Sequence, residues 1–99
     1  KMDIRLGKVL SARKMENADK LLVLTVDTGI DERTIVSGIA QHYTPDEITG
    51  KSVVVLMNLA PRKIRGVESM GMLLMAEDSE GNLSALVSER GFEGGPTIG

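Results

Sequence analysis

Three basic side chains in the second half of the sequence are the strongest candidates for binding chemistry. Arg62, Lys63 and Arg65 follow Pro61 closely, and residues 51–65 include no acidic side chain. Guanidinium and ammonium groups bind phosphate oxygens through charge and directed hydrogen bonds. Because three basic residues after a proline have no use in a hydrophobic core, the cluster predicts a phosphate-binding loop. The alternative is an ordinary solvated loop.

The charge of the whole chain is unevenly distributed. Twelve Lys and Arg against 14 Asp and Glu give a net charge of -2 at pH 7, which argues against a uniformly basic nucleic-acid-binding surface. Residues 1–20 nevertheless carry six basic and three acidic side chains. Two basic segments in an otherwise acidic chain fit phosphate binding by one face, or a solvated surface of mixed sign.

Most catalytic chemistries lack their residues here. The chain has no cysteine, so thiolate catalysis, disulfides and cysteine-rich zinc sites are excluded. His42 is the single histidine, and no nucleophile elbow, phosphate-cradling loop or dinucleotide fingerprint occurs. Asp27, Asp31 and Glu32 could hold a hard cation, but acid-rich hairpin turns are commonly just soluble turns. We therefore expect no catalytic residue, no metal and no cofactor.

The scarcity of aromatic residues restricts how a nucleic acid could be bound. Tyr43 and Phe92 are the only two, so the stacking of successive bases of a single strand on aromatic platforms can contribute little. A folded RNA can still be recognised through phosphates, 2′-hydroxyls and shape, which require Arg, Lys, Ser and Asn more than rings.

No part of the sequence has the length of a membrane span. The longest apolar runs, 52–57 and 70–76, are far below the about 20 residues that a spanning helix needs. The charged start has no signal-peptide core, and a cysteine-free chain fits a reducing compartment. We expect a cytoplasmic protein without membrane attachment. Because the sequence begins within a predicted strand, it could be a segment of a longer polypeptide.

Strand signals dominate the elements that must position the basic residues. Runs of Val, Ile and Leu bounded by Gly, Asp and Asn predict strands at 3–14, 21–27, 33–39, 51–58, 70–76 and 83–88. The alternation becomes irregular after Gly7, which predicts a bulge in the first strand. Gly29 predicts a hairpin turn at 28–32. Residues 89–99 are expected to be loop with at most a short terminal strand.

One short helix is predicted between the third and fourth strands. Thr44, Pro45 and Glu47 form a capping box with proline at the first helical position, and Gly50 ends the helix. Three strands, the short helix and two more strands predict an all-β, five-stranded Greek-key OB-fold barrel, with the last predicted strand in a C-terminal extension. We expect one domain over 1–99, with a barrel core at 1–76 and an extension at 77–99. The binding loops of that fold would be 14–20 and 58–69, in or beside the basic segments.

Three segments carry a resemblance to a known family. Residues 17–21 (Asn-Ala-Asp-Lys-Leu), 35–39 (Ile-Val-Ser-Gly-Ile) and 58–72, beginning Asn-Leu-Ala-Pro-Arg-Lys, resemble successive motifs of the tRNA-binding OB-fold family. That family includes the C-terminal domain of methionyl-tRNA synthetase, free-standing tRNA-binding proteins, CsaA export chaperones and cytokine-like synthetase domains. The resemblance extends from residue 2 to 76 and is greatest for the synthetase domain.

The resemblance implies a set of tRNA-binding residues. The basic cluster would supply the phosphate contacts, and Ser69 and Met72 would form the floor of the binding site. Further contacts would come from the first loop and the third strand. The implied residues are Asn17, Lys20, Ser37, Arg62, Lys63, Arg65, Ser69 and Met72. Asn17 and Asp19 could instead cap a turn. The methionines at 70, 72 and 75 could instead fill the core or an interface.

The function implied by the resemblance is non-catalytic. The domain would grip the outer corner of folded tRNA as a homodimer, covalently linked to the catalytic domain of methionyl-tRNA synthetase, with 77–99 contributing to the dimer. Met15 and Glu16 replace the family's usual His-Pro, which places an acidic side chain near the site. One alternative is a CsaA-like dimeric chaperone that binds unfolded polypeptide. Another is a dimerisation module without useful RNA affinity.

Overall fold

Short β-strands dominate the residues that the computed structural model describes, which are 2–86, 95 and 97–98. One four-residue helix, α1 (Pro45–Ile48), interrupts them. The strands, in chain order, are β1 (Ile4–Lys14), β2 (Leu22–Asp27), β3 (Glu32–Ser37), β4 (Ser52–Leu56), β5 (Arg62–Ile64), β6 (Val67–Ser69), β7 (Met72–Glu77), β8 (Leu83–Ala85) and β9 (Thr97–Ile98).

The long strand β1 holds the sheet together. Its second half pairs with β2, its first half pairs with β4, and β9 adds to its start. Neighbouring strands are hydrogen-bonded across the sheet in the order β3-β2-β1-β4-β7-β8. On the other side β3 contacts β7, and the Met70 N–H donates to the Thr34 carbonyl at 2.9 Å. The sheet therefore curls into an antiparallel OB-like barrel, which confirms the predicted all-β fold class, whereas the predicted count of five strands is not confirmed.

A bend lets one strand serve both sides of the barrel. The register of β1 against β2 shifts between Val9 and Ser11, which confirms the predicted bulge. A Cβ at Gly7 would lie 2.7 Å from Val26 Cγ1, so only glycine permits the close approach of β2 there. The irregular pattern after Gly7 therefore marked a real feature of the fold.

The predicted caps and turns are present. Thr44 and Glu47 form the reciprocal capping box, with the Glu47 N–H donating to Thr44 Oγ1 at 3.1 Å and the Thr44 N–H donating to Glu47 Oε1 at 2.9 Å. The hydrogen bond from the Thr44 backbone lowers the pKa of Glu47. Gly29 has a φ of 92° in the β2–β3 turn. Ile48 of α1 is buried in the barrel core.

The structure overturns one predicted loop and shifts the ends of several predicted strands. Residues 58–69, predicted as a loop, contain the two-stranded antiparallel hairpin β5–β6. The predicted strand 33–39 is β3 (Glu32–Ser37), and the predicted strand 70–76 is β7 (Met72–Glu77). The predicted last strand begins as β8, while residues 87–94, 96 and 99 of the predicted extension lie outside the described residues.

The core fills the inside of the barrel with aliphatic side chains. The buried members are Val9, Leu22, Leu24, Val26, Ile35, Ile39, Ile48, Val53, Val55, Met57 and Leu73. The interpretation of the methionines as core residues holds for Met75, which packs against this cluster, but Met70 and Met72 are exposed. They lie on the surface because both flank the bend at Gly71, where the chain returns from the hairpin to the barrel.

We expect Leu24→Ala to lower the free energy of unfolding by about 2–5 kcal/mol, because the truncation leaves a cavity in a packed core. Leu24 has no exposed surface. Leu10→Ala is the control, since Leu10 is 40% exposed in the same sheet. Urea denaturation measures both variants. Equal destabilisation by the two variants would contradict the assignment of faces.

Candidate nucleic-acid interface

A second apolar cluster, on the outside of the barrel, joins the two segments predicted to bind. We call it the outer cluster. Its buried members are Met15 and Ala18 from the β1–β2 loop, and Val23 and Val36 from β2 and β3. Ile64 and Val67, which pair across the β5–β6 hairpin, pack against it together with Leu21. Burial of these side chains holds the hairpin beside the first loop.

Alternation along β2 and β3 explains why these strands support two clusters. Leu22 and Leu24 point into the barrel, and Val23 between them points outward. Ile35 and Val36 divide in the same way on β3. Strands that are apolar on both faces are expected where both faces are covered. The hairpin and the first loop cover the outer face.

The tip of the hairpin is a two-residue turn with unusual backbone angles. Arg65 and Gly66 have φ values of 50° and 83°, and the flanking Ile64 and Val67 are paired. Positive φ at both central residues is typical of a type I′ turn, which favours Asn or Gly. An arginine there carries a cost of about 1 kcal/mol. A residue that turn chemistry disfavours, exposed at a hairpin tip, is a candidate for binding.

Ser69 fastens the hairpin to the barrel. Its side chain is buried, with the residue 5% exposed. Ser69 Oγ accepts from the Val36 N–H at 2.9 Å and donates to the Gly71 carbonyl at 3.3 Å. These bonds give Ser69 a structural role, and its contact with RNA stays a prediction.

The other two residues of the basic cluster lie on β5. Arg62 and Lys63 are exposed, and Lys63 pairs with Glu68 across the hairpin. Lys63 and Arg62 are neighbours on one short strand, so their side chains leave on opposite faces. The hairpin therefore presents positive charge on both faces and at its tip, where it can reach phosphates separated along a backbone.

Asn17 and Lys20 occupy the adjoining loop. Asn17 has a φ of 59° in a tight turn closed by the Ala18 N–H and the Met15 carbonyl at 3.3 Å, which supports its interpretation as a turn residue. The Lys20 side chain is exposed, and its carbonyl accepts from the Ala40 N–H at 3.1 Å. Both side chains remain available to a ligand beside the hairpin.

A shallow pocket of about 100 Å³ lies between the hairpin and the barrel. It brings together three of the predicted residues, Arg62, Ser69 and Met72, with Val36 and Leu59 also in its lining. Met72 is 47% exposed. Ser37 is half-buried at the end of β3, where it pairs with Leu22 of β2. The pocket is lined mainly by apolar side chains beside Arg62, and its contact with RNA stays a prediction.

The base of the hairpin segment is held by an arginine that sequence patterns did not single out. Arg33 Nη1 donates to the carbonyls of Met57 at 2.8 Å and Met70 at 3.1 Å. Arg33 Nε donates to Asp31 at 3.1 Å. Thr28 Oγ1 in turn donates to Asp31 Oδ1 at 2.6 Å. In the sequence Arg33 was only the start of a strand, because its partners are distant in the chain.

Among residues 2–86, 95 and 97–98, no group of three His, Asp or Glu side chains is arranged to hold a metal ion. No helix within the same described ranges is long and apolar enough to cross a membrane.

Comparison with known proteins identifies the class of the chain. Residues 4–96 match the family tRNA_bind, described as "Putative tRNA binding domain". A methionine–tRNA ligase of Christiangramia forsetii is 56% identical over 99 residues, which are 99% of this chain and 14% of that protein. The chain thus spans a small part of this curated relative.

Solved structures agree with the sequence match. The crystal structure of a MetRS-related protein from Pyrococcus horikoshii has a TM-score of 0.91 and 38% identity, covering 98% of this chain and 89% of that one. The CsaA chaperone protein of Picrophilus torridus has a TM-score of 0.88 and 25% identity, covering 100% and 92% respectively.

The chain belongs to the tRNA-binding domain family. It is homologous to the C-terminal domain of methionyl-tRNA synthetase. The resemblance drawn from the three motifs is confirmed, and so is the prediction of a tRNA-binding function. Because the matched region is a binding domain within a ligase, the prediction that this chain alone is non-catalytic is also confirmed.

We expect Asp31 to stabilise the protein in a pH-dependent way. The hydrogen bond from the Thr28 hydroxyl, and then Arg33, hold the pKa of Asp31 below its ordinary value of 3.8. The unfolded state therefore takes up the proton first as pH falls. The stabilisation is fully present above pH 3.8 and is lost as pH falls through the lowered pKa.

Urea denaturation of the wild type and Asp31→Asn over a series of pH values measures this effect. The difference in their free energies of unfolding should be present at neutral pH and shrink below pH 3.8. Glu80→Gln, at an exposed turn carboxylate, is the control for general acid destabilisation. A difference between wild type and Asp31→Asn that persists unchanged in acid would contradict the expectation.

Proposed function

We propose that the domain recognises folded tRNA through the face formed by the β5–β6 hairpin and the β1–β2 loop. The packing of Ile64 and Val67 against the outer cluster, to which Met15 and Ala18 of the first loop belong, carries this proposal, because it places the hairpin's basic residues beside that loop. The basic residues of two sequence segments are thereby brought to adjoining parts of the surface, beside the exposed carboxylates of Glu16, Asp19 and Glu68. Such a surface binds phosphates locally despite the net charge of -2.

Individual side chains take different parts in this proposal. Arg62, Lys63 and Arg65 contact phosphates, and Asn17 and Lys20 contact the RNA from the first loop. Met72, an exposed residue, forms an apolar floor beside the hairpin, where it lines the same pocket as Arg62. Ser69 and Ser37 contribute the polar edge of the same floor. Such contacts read backbone and shape rather than base sequence.

The larger protein is also a matter of proposal. The 14% coverage of the ligase of Christiangramia forsetii supports a chain that is the C-terminal domain of a cytoplasmic methionyl-tRNA synthetase. There it would raise the hold of the whole enzyme on tRNA. We propose a single domain over 1–99 that forms a homodimer, with 77–99 contributing to the contact.

The central experiment measures tRNA binding by fluorescence anisotropy at several salt concentrations. Lys63→Ala and Arg65→Asn should each weaken binding for all tRNAs, and each should reduce the slope of log affinity against log salt by roughly 1. Asparagine suits the positive φ of residue 65, so Arg65→Asn removes the charge while keeping the turn.

Lys51→Ala is the matched control for these variants. Lys51 is exposed near Glu47, on the helix side of the barrel, and its loss should leave the slope unchanged. An unstructured single strand of equal length should compete poorly with folded tRNA. Unchanged slopes for both hairpin variants would overturn the proposed site.

The dimer is tested by sedimentation of the isolated chain. We expect a species of twice the chain mass at micromolar concentration, with deletion of 77–99 giving the mass of one folded chain. A full-length chain that remains monomeric would contradict the dimer. Circular dichroism of the deletion variant checks that its barrel still folds.

A second candidate function is chaperone activity like that of the CsaA protein to which the fold is similar. The exposed apolar side chains of Leu59, Met70 and Met72 favour it, because they lie close together where the hairpin segment leaves and rejoins the barrel. Suppression of aggregation of an unfolded polypeptide, abolished by Leu59→Ser and unaffected by Arg65→Asn, would favour this function over tRNA binding.

A further inference from the structure

The segment that carries the hairpin leaves and rejoins the barrel at two points. It departs after Met57, beyond the end of β4, and returns at Met70, before β7 begins. The ladder between β4 and β7 reaches only from the pair Val54–Leu74 to the pair Leu56–Met72. The carbonyls of Met57 and Met70 therefore lie beyond the last paired residues of that ladder.

One guanidinium group bridges these two carbonyls. Arg33 Nη1 donates to the Met57 carbonyl at 2.8 Å and to the Met70 carbonyl at 3.1 Å. The exit point is also held by the Met57 N–H, which donates to the Asp3 carbonyl at 2.7 Å, and by the Asp3 N–H, which donates to Asn58 Oδ1 at 2.8 Å. The return point is also held by the Met70 N–H, which donates to the Thr34 carbonyl at 2.9 Å. Arg33 adds a direct bridge between the exit point and the return point.

The guanidinium is itself held in place by Asp31 and, through Asp31, by Thr28. Arg33 Nε donates to both carboxylate oxygens of Asp31 at 3.1 Å. The Thr28 hydroxyl donates to Asp31 Oδ1 at 2.6 Å, and Thr28 is buried in the β2–β3 turn. The chain of bonds runs from a rigid turn of the barrel through Asp31 and Arg33 to both ends of the hairpin segment.

Arg33 is poorly placed to contact RNA itself. Its side chain is only 19% exposed, and its Nε and Nη1 donors are already engaged within the protein. A lysine could not replace it, because a single ammonium lacks the planar fork that reaches a carboxylate and two carbonyls in fixed directions.

We propose that Arg33 is a positioning residue for tRNA binding, which holds the base of the β5–β6 hairpin so that its basic side chains meet the RNA in one geometry. This inference rests on the proposed function of the hairpin. Arg33 contributes to tRNA affinity by ordering the hairpin before binding, which reduces the conformational entropy lost when RNA binds.

The first test compares Arg33→Met and Arg33→Lys by tRNA anisotropy titration. Both should weaken binding by roughly three- to tenfold, as expected for losing charged hydrogen bonds that order a binding segment. Because Arg33→Lys keeps the positive charge, a loss of tRNA affinity in this variant shows that the geometry of the guanidinium matters and not its charge alone. Wild-type affinity in Arg33→Lys would overturn the proposal, since the charge alone would then suffice.

Hydrogen exchange supplies a readout that does not depend on RNA. In both variants the amides of Met70 and Val36, which bond to Thr34 and to Ser69 Oγ, should exchange faster than in the wild type. The amides of Val9 and Gly50, which bond across the barrel, should be unchanged. Equal acceleration in both places would show general destabilisation and overturn the proposal.

A double-mutant cycle tests whether Arg33 acts through the hairpin. In a variant carrying Arg62→Ala, Lys63→Ala and Arg65→Asn, the further change Arg33→Met should cost no additional affinity. A full additive loss would overturn the positioning role. Wild-type tRNA affinity in the triple variant alone would instead refute the proposed function of the hairpin, and the exchange data would still decide whether Arg33 holds it.

Asp31→Asn decides the question should Arg33→Met fail to fold. This change leaves Arg33 in place and weakens the bonds that Asp31 makes to Arg33 and to the Thr28 hydroxyl. The expected result is a smaller loss of tRNA affinity with the same selective increase in exchange at Met70 and Val36. No change in either measurement would overturn the proposal.

Discussion

The proposed interface depends on the burial of a few apolar side chains outside the barrel. Ile64 and Val67 of the hairpin pack against the outer cluster, which joins Met15 and Ala18 of the first loop to the outward face of β2 and β3. Burial of this kind contributes about 25 cal/mol per Å² of apolar surface. Without the outer cluster the two segments would be independent loops. With it, they form one surface whose charges act together.

Hydrogen bonds fix the position of the hairpin, which apolar packing only brings close to the barrel. Apolar contacts are not directional, so the outer cluster alone would leave the hairpin free to slide. Ser69 bonds to the Val36 N–H inside the interface, and Arg33 bonds to carbonyls at both ends of the hairpin segment. Breaking a bond of this kind leaves a partner unpaired, which costs about 1–3 kcal/mol when the partner is buried. Packing and directed bonds therefore have separate tasks.

A net acidic protein can serve as an RNA-binding module because its charges are separated in space. The hairpin carries Arg62, Lys63 and Arg65 against the one carboxylate of Glu68, whereas other acidic residues such as Asp78 and Glu80 lie in the turn between β7 and β8. Screening in physiological salt limits the reach of surface charges to about 8 Å, so carboxylates farther away than that hardly weaken phosphate binding at the hairpin. The local density of positive charge decides the interaction, and the total does not.

The sequence by itself determined the strands, the capped helix, the OB-like barrel and the family. These follow from local signals: alternation of apolar residues, the capping box at Thr44, the irregularity after Gly7 and contiguous motifs. Only the tertiary structure decided that 58–69 is a hairpin, that Ser69 is buried and that Arg33 holds the hairpin's base. Strands of three residues give too little periodicity to detect, and burial and bridging arise from partners distant in the chain. Sequence patterns report neighbours along the chain, whereas these roles depend on neighbours in space.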